Sequence, residues 1–245
     1  MRSGNPALSK KAFERFDVFE QSNVMTINGT VMKTGILLAL LVGSASITWN
    51  AVLQGNANER SLMMGGLFAG LIFGIATCFK PNWAPVTAPI YAIGEGLFLG
   101  GLSVVINNLY PGIVFQAVGL TFGTLASLLF AYSTGMIKAT ENFKLGIAAA
   151  TGGICLVYLA SFVMGFFGMT MPLIHSASPM GIGFSLFVVV IAALNLVLDF
   201  DFIEHGAERG APKYMEWYGA FGLMVTLVWL YIEILRLLAK LQSRD

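Results

Sequence analysis

Charged residues are scarce in this sequence. Only 11% of its 245 residues are Asp, Glu, Lys or Arg and 56% are hydrophobic, whereas soluble domains carry about 25% charged residues. This scarcity excludes an ordinary soluble protein. The charges nearly cancel to a net +1, which excludes the strongly basic surface that nucleic-acid binding requires. We therefore expect a chain whose surroundings are a lipid bilayer, with no nucleic-acid partner.

Cysteine and the motifs of common enzymes are also scarce. The two cysteines, Cys78 and Cys155, lie far apart in apolar segments and form no CxxC or CxxH pattern. We expect both to be small buried hydrophobic residues, not redox or metal ligands. No GxSxG, HExxH, Walker A or GxGxxG motif occurs in the setting that its chemistry needs. These absences predict a protein that is not an enzyme and that carries no cofactor.

Long apolar runs fill most of the chain. A transmembrane helix needs about 20 such residues, and seven runs approach or reach that length. The predicted spans are 33–53, 62–79, 84–106, 112–134, 145–167, 180–202 and 216–239. We therefore predict an all-α polytopic membrane protein with seven transmembrane helices. Its two parts are a polar cytoplasmic N-terminal tail at 1–32 and a transmembrane domain at 33–245.

The basic residues predict an orientation. Lys and Arg are concentrated in the N-terminal tail and in alternate loops, which places the N-terminus in the cytoplasm by the positive-inside rule. Seven spans then put the C-terminal segment outside, although it contains Arg236, Lys240 and Arg244. Either the last helix is special or it does not cross fully.

Four acidic residues lie within the predicted spans or close to their ends. Such residues usually face the bundle interior and are functional candidates. Glu95 sits about midway along the third span and Asp199 lies one turn inside the sixth, so both are principal candidates. Asp201 is expected to begin the following loop as an interfacial acid. Glu233 precedes Arg236 by three residues on one helix face, so a local ion pair and a functional role are both open.

Three segments resemble the Bax inhibitor family of seven-helix membrane proteins. They are "YAIGEGLFLGGLS" in the third span, "LVLDFDFI" at the end of the sixth and "WLYIEILRLL" in the last. By their order and placement they are similar to the bacterial Bax inhibitor-like branch. The resemblance implies a final helix near the centre of the bundle and a bacterial inner-membrane location. It also implies a pH-sensitive calcium-leak channel gated by protonation of intramembrane carboxylates, with calcium and protons as its partners.

The resemblance further implies an ion and proton site. In the family, an aspartate of the sixth helix shares a proton with one of the seventh. Asp199 matches the first position, but Thr226 stands where the second aspartate would be. We therefore predict that Glu95, placed at comparable depth, pairs with Asp199 and that Thr226 supplies a neutral oxygen, with calcium as the competing ion. Lys80, at the end of the second span, is the candidate for the basic residue that holds the closed form.

Two other functions stay open. The first is a non-conducting scaffold or regulator of a membrane protease, in which the acids serve only packing and topology and the protein partner is unknown. The second is a proton-coupled small-solute transporter, which the absence of a convincing internal repeat disfavours. Convergence of Glu95 and Asp199 on a water-accessible cavity would favour ion flux. A dry bundle held by salt bridges would favour the scaffold.

Overall fold

Seven long helices make up the computed structural model, which describes residues 23–55 and 59–243. The helices are α1 (Ile27–Leu53), α2 (Glu59–Phe79), α3 (Ala84–Leu109), α4 (Ile113–Ser133), α5 (Glu141–Phe166), α6 (Pro179–Glu208) and α7 (Met215–Gln242). Each is long and apolar enough to cross a membrane. Within the described residues there is no β-strand. The predicted all-α, seven-span membrane protein is therefore confirmed.

Two of these helices extend well beyond the predicted spans. Helix α1 begins at Ile27, where the Thr26 hydroxyl accepts a hydrogen bond from the Gly29 amide at 3.0 Å and caps the first turn. Helix α6 continues to Glu208, so Asp201 lies inside the helix and does not begin a loop. The prediction for Asp201 was wrong because hydropathy falls at the charged residues, whereas the helical backbone continues through them.

Helix α7 lies at the centre of the bundle. It packs against α1, α3, α4 and α6, and 61% of its most apolar window is buried, the largest share of any of the seven. Leu230 and Leu235 are completely inaccessible there. The surrounding helices instead expose large apolar side chains on their outer faces, such as those of Phe115, Phe130 and Phe166. A central final helix is thus confirmed.

Glycines of α3 allow its two neighbours to approach its backbone. A Cβ atom on Gly94 would lie 2.7 Å from the amide nitrogen of Gly70 in α2. On the other side of α3, a Cβ atom on Gly96 or Gly100 would overlap the backbone of α1. Small residues at such crossings permit the close packing that holds helices together in lipid. The core of the bundle is therefore formed around α3 and α7.

The two cysteines do not lie in this core. Cys78 and Cys155 are both free and exposed, so the prediction that they are buried was wrong. Their apolar neighbours in sequence did not distinguish a core-facing from a lipid-facing position, because both kinds of position are apolar in a membrane protein. Residues 1–22 of the predicted tail, like Arg244, lie outside the described residues, whereas its last residues, 27–32, belong to α1.

Candidate functional site

Asp199 lies where α6 packs against α7. Its Oδ2 atom is buried and has no hydrogen-bond partner among the residues that the structure describes. The side chain of Thr226 lies near the carboxylate, but its hydroxyl donates a long 3.3 Å bond to the Gly222 carbonyl and none to Asp199. Gly222 itself leaves space in front of Oδ1, since a Cβ atom there would stand 3.9 Å away. The structure therefore brings Asp199 and Thr226 together.

The polar groups of this site are one carboxylate and one hydroxyl. A buried carboxylate oxygen without a partner is costly in an apolar interior, so the group is open to neutralisation by a proton or a cation. The carboxylate of Asp199 and the hydroxyl of Thr226 are the hard oxygen donors that calcium prefers. In the described ranges, however, no three acidic, histidine or cysteine side chains converge on a metal-binding arrangement.

Glu95 faces a different helix. Its carboxylate lies against Gly70 of α2, and a Cβ atom on that glycine would be only 2.8 Å from Oε1. Among the described side chains, no hydrogen bond or ion pair joins Glu95 to Asp199. The structure therefore does not bring the two predicted partners together. The predicted order of the spans contained no information on how they are arranged around α7.

The depth assigned to Glu95 is nevertheless consistent with the structure. Tyr91 of α3 packs edge-on against Phe221 of α7 at 4.9 Å, and Ser103 shares a 2.6 Å hydrogen bond with Tyr231. The two helices therefore run in the same direction. Glu95, one turn beyond Tyr91, lies near the level of the middle of α7, on the side of the bundle where α2 packs.

Lys80 is exposed at the end of α2. Its Nζ lies over the ring of Trp83, 4.3 Å from the centroid, which is a cation–π contact. A basic residue that does enter the bundle is Lys33 of α1, whose side chain is 11% exposed. The sequence pattern did not single out Lys33 as a candidate residue.

Lys33 forms an ion pair with Glu216, which lies in the first turn of α7 and is completely buried. Its Oε2 pairs with Lys33 Nζ, and its Oε1 lies 3.3 Å from Lys213 Nζ. The same Oε1 accepts hydrogen bonds from the Thr26 amide at 3.0 Å and the Thr26 hydroxyl at 2.9 Å. We call Thr26, Lys33, Lys213 and Glu216 the entry cluster. It joins the start of α1 to the start of α7.

The backbone strengthens this junction. The Met25 amide donates to the Ala211 carbonyl at 2.7 Å, and the Lys213 amide donates to the Asn23 carbonyl at 2.9 Å. The segment before α1 therefore runs antiparallel to the α6–α7 loop. The sequence signal for the cluster was the acid in "KYMEWYG", at the first turn of an apolar helix where the helix dipole also favours a negative charge.

A second polar cluster lies towards the other end of α7. Glu233 is 2% exposed and pairs with Arg236 at 3.1 Å, so the local ion pair, one of the two interpretations left open by the sequence, is present. Tyr158 of α5 donates to Glu233 at 2.9 Å and accepts from Arg236 at 2.7 Å. Tyr158 therefore connects this pair within α7 to helix α5.

Lys240 is also buried between helices. It donates to the Gly181 carbonyl at 2.9 Å and to the Ser185 hydroxyl at 2.8 Å. Both acceptors belong to α6. Because Arg236 and Lys240 are held within the bundle, neither counts as a loop charge for the positive-inside rule. The basic residues at the C-terminal end therefore conflict less with a C-terminus outside the cytoplasm. The orientation itself stays a prediction.

The charged end of α6 is stabilised by its neighbours. Asp201 pairs with Lys144 of α5 at 2.8 Å and with His205 one turn later at 3.4 Å. The Tyr132 hydroxyl of α4 donates to Glu204. These partners explain why the helix continues past its apolar run. They also provide Asp201 with a structural role.

The comparisons with known proteins identify one family. The family model described as "Bax inhibitor 1 like" matches residues 5–243, nearly the whole chain. The comparisons with curated proteins and with solved structures found no match.

Proposed function

The chain belongs to the Bax inhibitor 1-like family, and from that premise we propose that it is a pH-sensitive calcium leak of a bacterial inner membrane. Protonation of Asp199 controls the path. The observation that carries this proposal is the buried, unpartnered Oδ2 of Asp199 at the contact between α6 and α7.

A proton and a calcium ion compete for this carboxylate. When Asp199 is protonated, the site is neutral and α6 can pack closely on the central helix. When it is ionised, the buried charge needs a cation or water beside it. The contact between α6 and α7 therefore differs between the protonated and the ionised state of Asp199. A gate requires a two-state element of this kind.

Thr226 makes this site differ from the pattern that the family resemblance implies. A hydroxyl offers an oxygen to a cation but cannot share a proton between two carboxylates. The gate proposed here therefore depends on one acid at this position. Glu95, near the same depth beside α2, acts as a separate second acid along the path and not as the partner of Asp199.

The test is calcium flux into proteoliposomes across a pH series. Native flux is expected to vary with pH by up to about tenfold per pH unit, the slope that one controlling proton allows. Asp199→Asn is expected to flatten this dependence because the amide does not titrate. Glu95→Gln is expected to change the amount of flux while keeping a pH response.

The matched control is Glu208→Gln. This residue is an exposed acid of the same helix α6, so its loss changes the net charge by the same amount. We expect its flux and pH response to equal those of the native protein. An unchanged pH response in correctly folded Asp199→Asn protein would contradict the proposal.

The scaffold function remains the second candidate because Glu95 and Asp199 do not converge and because polar contacts join α7 to its neighbours at two levels. The Lys33–Glu216 ion pair joins α7 to α1, and the Glu233–Arg236 pair of α7 is hydrogen-bonded to Tyr158 of α5. A bundle tied in this way suits a rigid membrane protein that binds another. Absence of calcium flux from folded native protein at every pH would favour this function over the leak.

A further inference from the structure

A cavity of about 450 Å³ opens between α1, α3, α4 and α7. Its walls are mainly apolar side chains, among them Leu38, Leu99, Val118 and Leu227. Neither Asp199 nor Thr226 lines it. The cavity is therefore separate from the site proposed to control flux.

The cavity faces the side of the bundle. Helices α1 and α4 both pack against α7 but form no substantial contact with each other in the described residues. The cavity lies in the gap that remains between them. Its edges are Val42 of α1 together with Phe115 and Phe122 of α4, whose side chains are 53%, 77% and 42% exposed. In a membrane, this gap opens towards lipid.

The shape of the cavity is that of a slot parallel to the helices. Its lining on α1 extends from Leu38 to Asn50, which corresponds to about 18 Å at 1.5 Å per residue. The few polar groups inside include Ser103 and Tyr231, which satisfy each other through a 2.6 Å hydrogen bond. The interior is thus apolar along its length, and Trp49 and Asn50 provide polar groups at one end.

We propose that this slot binds one acyl chain of a membrane phospholipid. Apolar cavities do not hold water well, and the volume falls within the roughly 300–1,000 Å³ of ligand sites. The hydrocarbon that surrounds a bilayer-spanning bundle is phospholipid, and the slot has the direction of a chain in a bilayer. Trp49 and Asn50, near the end of α1, lie where a glycerol backbone meets the interface, a position that suits tryptophan.

The experiment uses full-length protein in nanodiscs of phosphatidylglycerol and phosphatidylethanolamine, with a photoreactive diazirine at the end of one acyl chain. Labelling is expected to concentrate on peptides of the slot. Val118→Trp, which fills the slot, is expected to reduce that labelling by about tenfold. Ile47→Trp is the control, because Ile47 is 60% exposed on α1 and does not line the slot.

Ser46→Leu is a second filling variant on a different helix, so that misfolding of one variant does not decide the result. Monodisperse elution establishes that each variant is folded. Equal labelling of the slot in the native protein and in either folded filling variant would overturn the proposal. Labelling spread evenly over outer-face residues such as Phe130 and Phe166 would also overturn it.

Discussion

Glu216→Gln is expected to lower the free energy of unfolding by about 3–5 kcal/mol, the usual cost of breaking a buried ion pair by removing one partner. Glu216 is completely buried and pairs with Lys33, itself only 11% exposed. The neutral amide would leave the Lys33 charge uncompensated inside the entry cluster. In detergent, the melting temperature should fall by about 6–20 °C, at the usual 2–4 °C per kcal/mol for chains of this size.

Lys213→Gln is the matched control for this prediction. Lys213 contacts the same carboxylate at 3.3 Å but is 48% exposed, so we expect a loss within about 1 kcal/mol. The double variant Lys33→Met with Glu216→Leu should recover part of the stability, because it removes both buried charges together. If the Glu216→Gln protein had the same melting temperature as the native protein, the entry cluster would not stabilise the fold.

Gly96→Val is expected to prevent close packing of α1 on α3. A Cβ atom at this position would overlap both the Ser44 hydroxyl and the Leu41 carbonyl oxygen. The carbonyl belongs to the backbone of α1, so the helix must move as a whole. Overpacking of a filled core usually costs about 1–3 kcal/mol, and a rigid backbone obstacle places this variant at the upper end or beyond. Yield of monodisperse protein after extraction, with the melting temperature of that fraction, measures the effect.

Gly119→Val is the control on α4. Nothing lies within 4 Å of a Cβ atom at Gly119, and the chemical change is identical. This variant should retain native yield and melting temperature. If both variants lost yield equally, valine within a helix would be responsible, and the close approach of α1 to α3 would have no special role.

The number and approximate positions of the helices were predictable from the sequence. Backbone groups in a bilayer core must be satisfied within the helix itself, so a sufficiently long apolar run specifies a spanning helix with little help from its neighbours. The helix ends were less predictable. Helix α6 reaches Glu208 because Lys144 and Tyr132 compensate the charges at Asp201 and Glu204, and these partners come from other helices.

The candidate site was only partly predictable. The placement of Asp199 beside Thr226 followed from aligning two segments with the Bax inhibitor family, because sequence position along α6 and α7 sets their depth. The predicted contact between Glu95 and Asp199 is not present in the structure. The ion pair between Lys33 and Glu216 was not predicted from the sequence. Both outcomes depend on which face of a helix meets which neighbour.

The sequence by itself therefore determined an all-helical membrane bundle, its seven spans and its family. Only the tertiary structure decided which polar side chains meet inside it. In a soluble helix the polar and apolar faces reveal its orientation, but in lipid the outer and inner faces are both apolar. The rotation of each helix around α7 is then set by small residues such as Gly96 and by a few buried partners such as Glu216, whose contacts lie far apart along the chain.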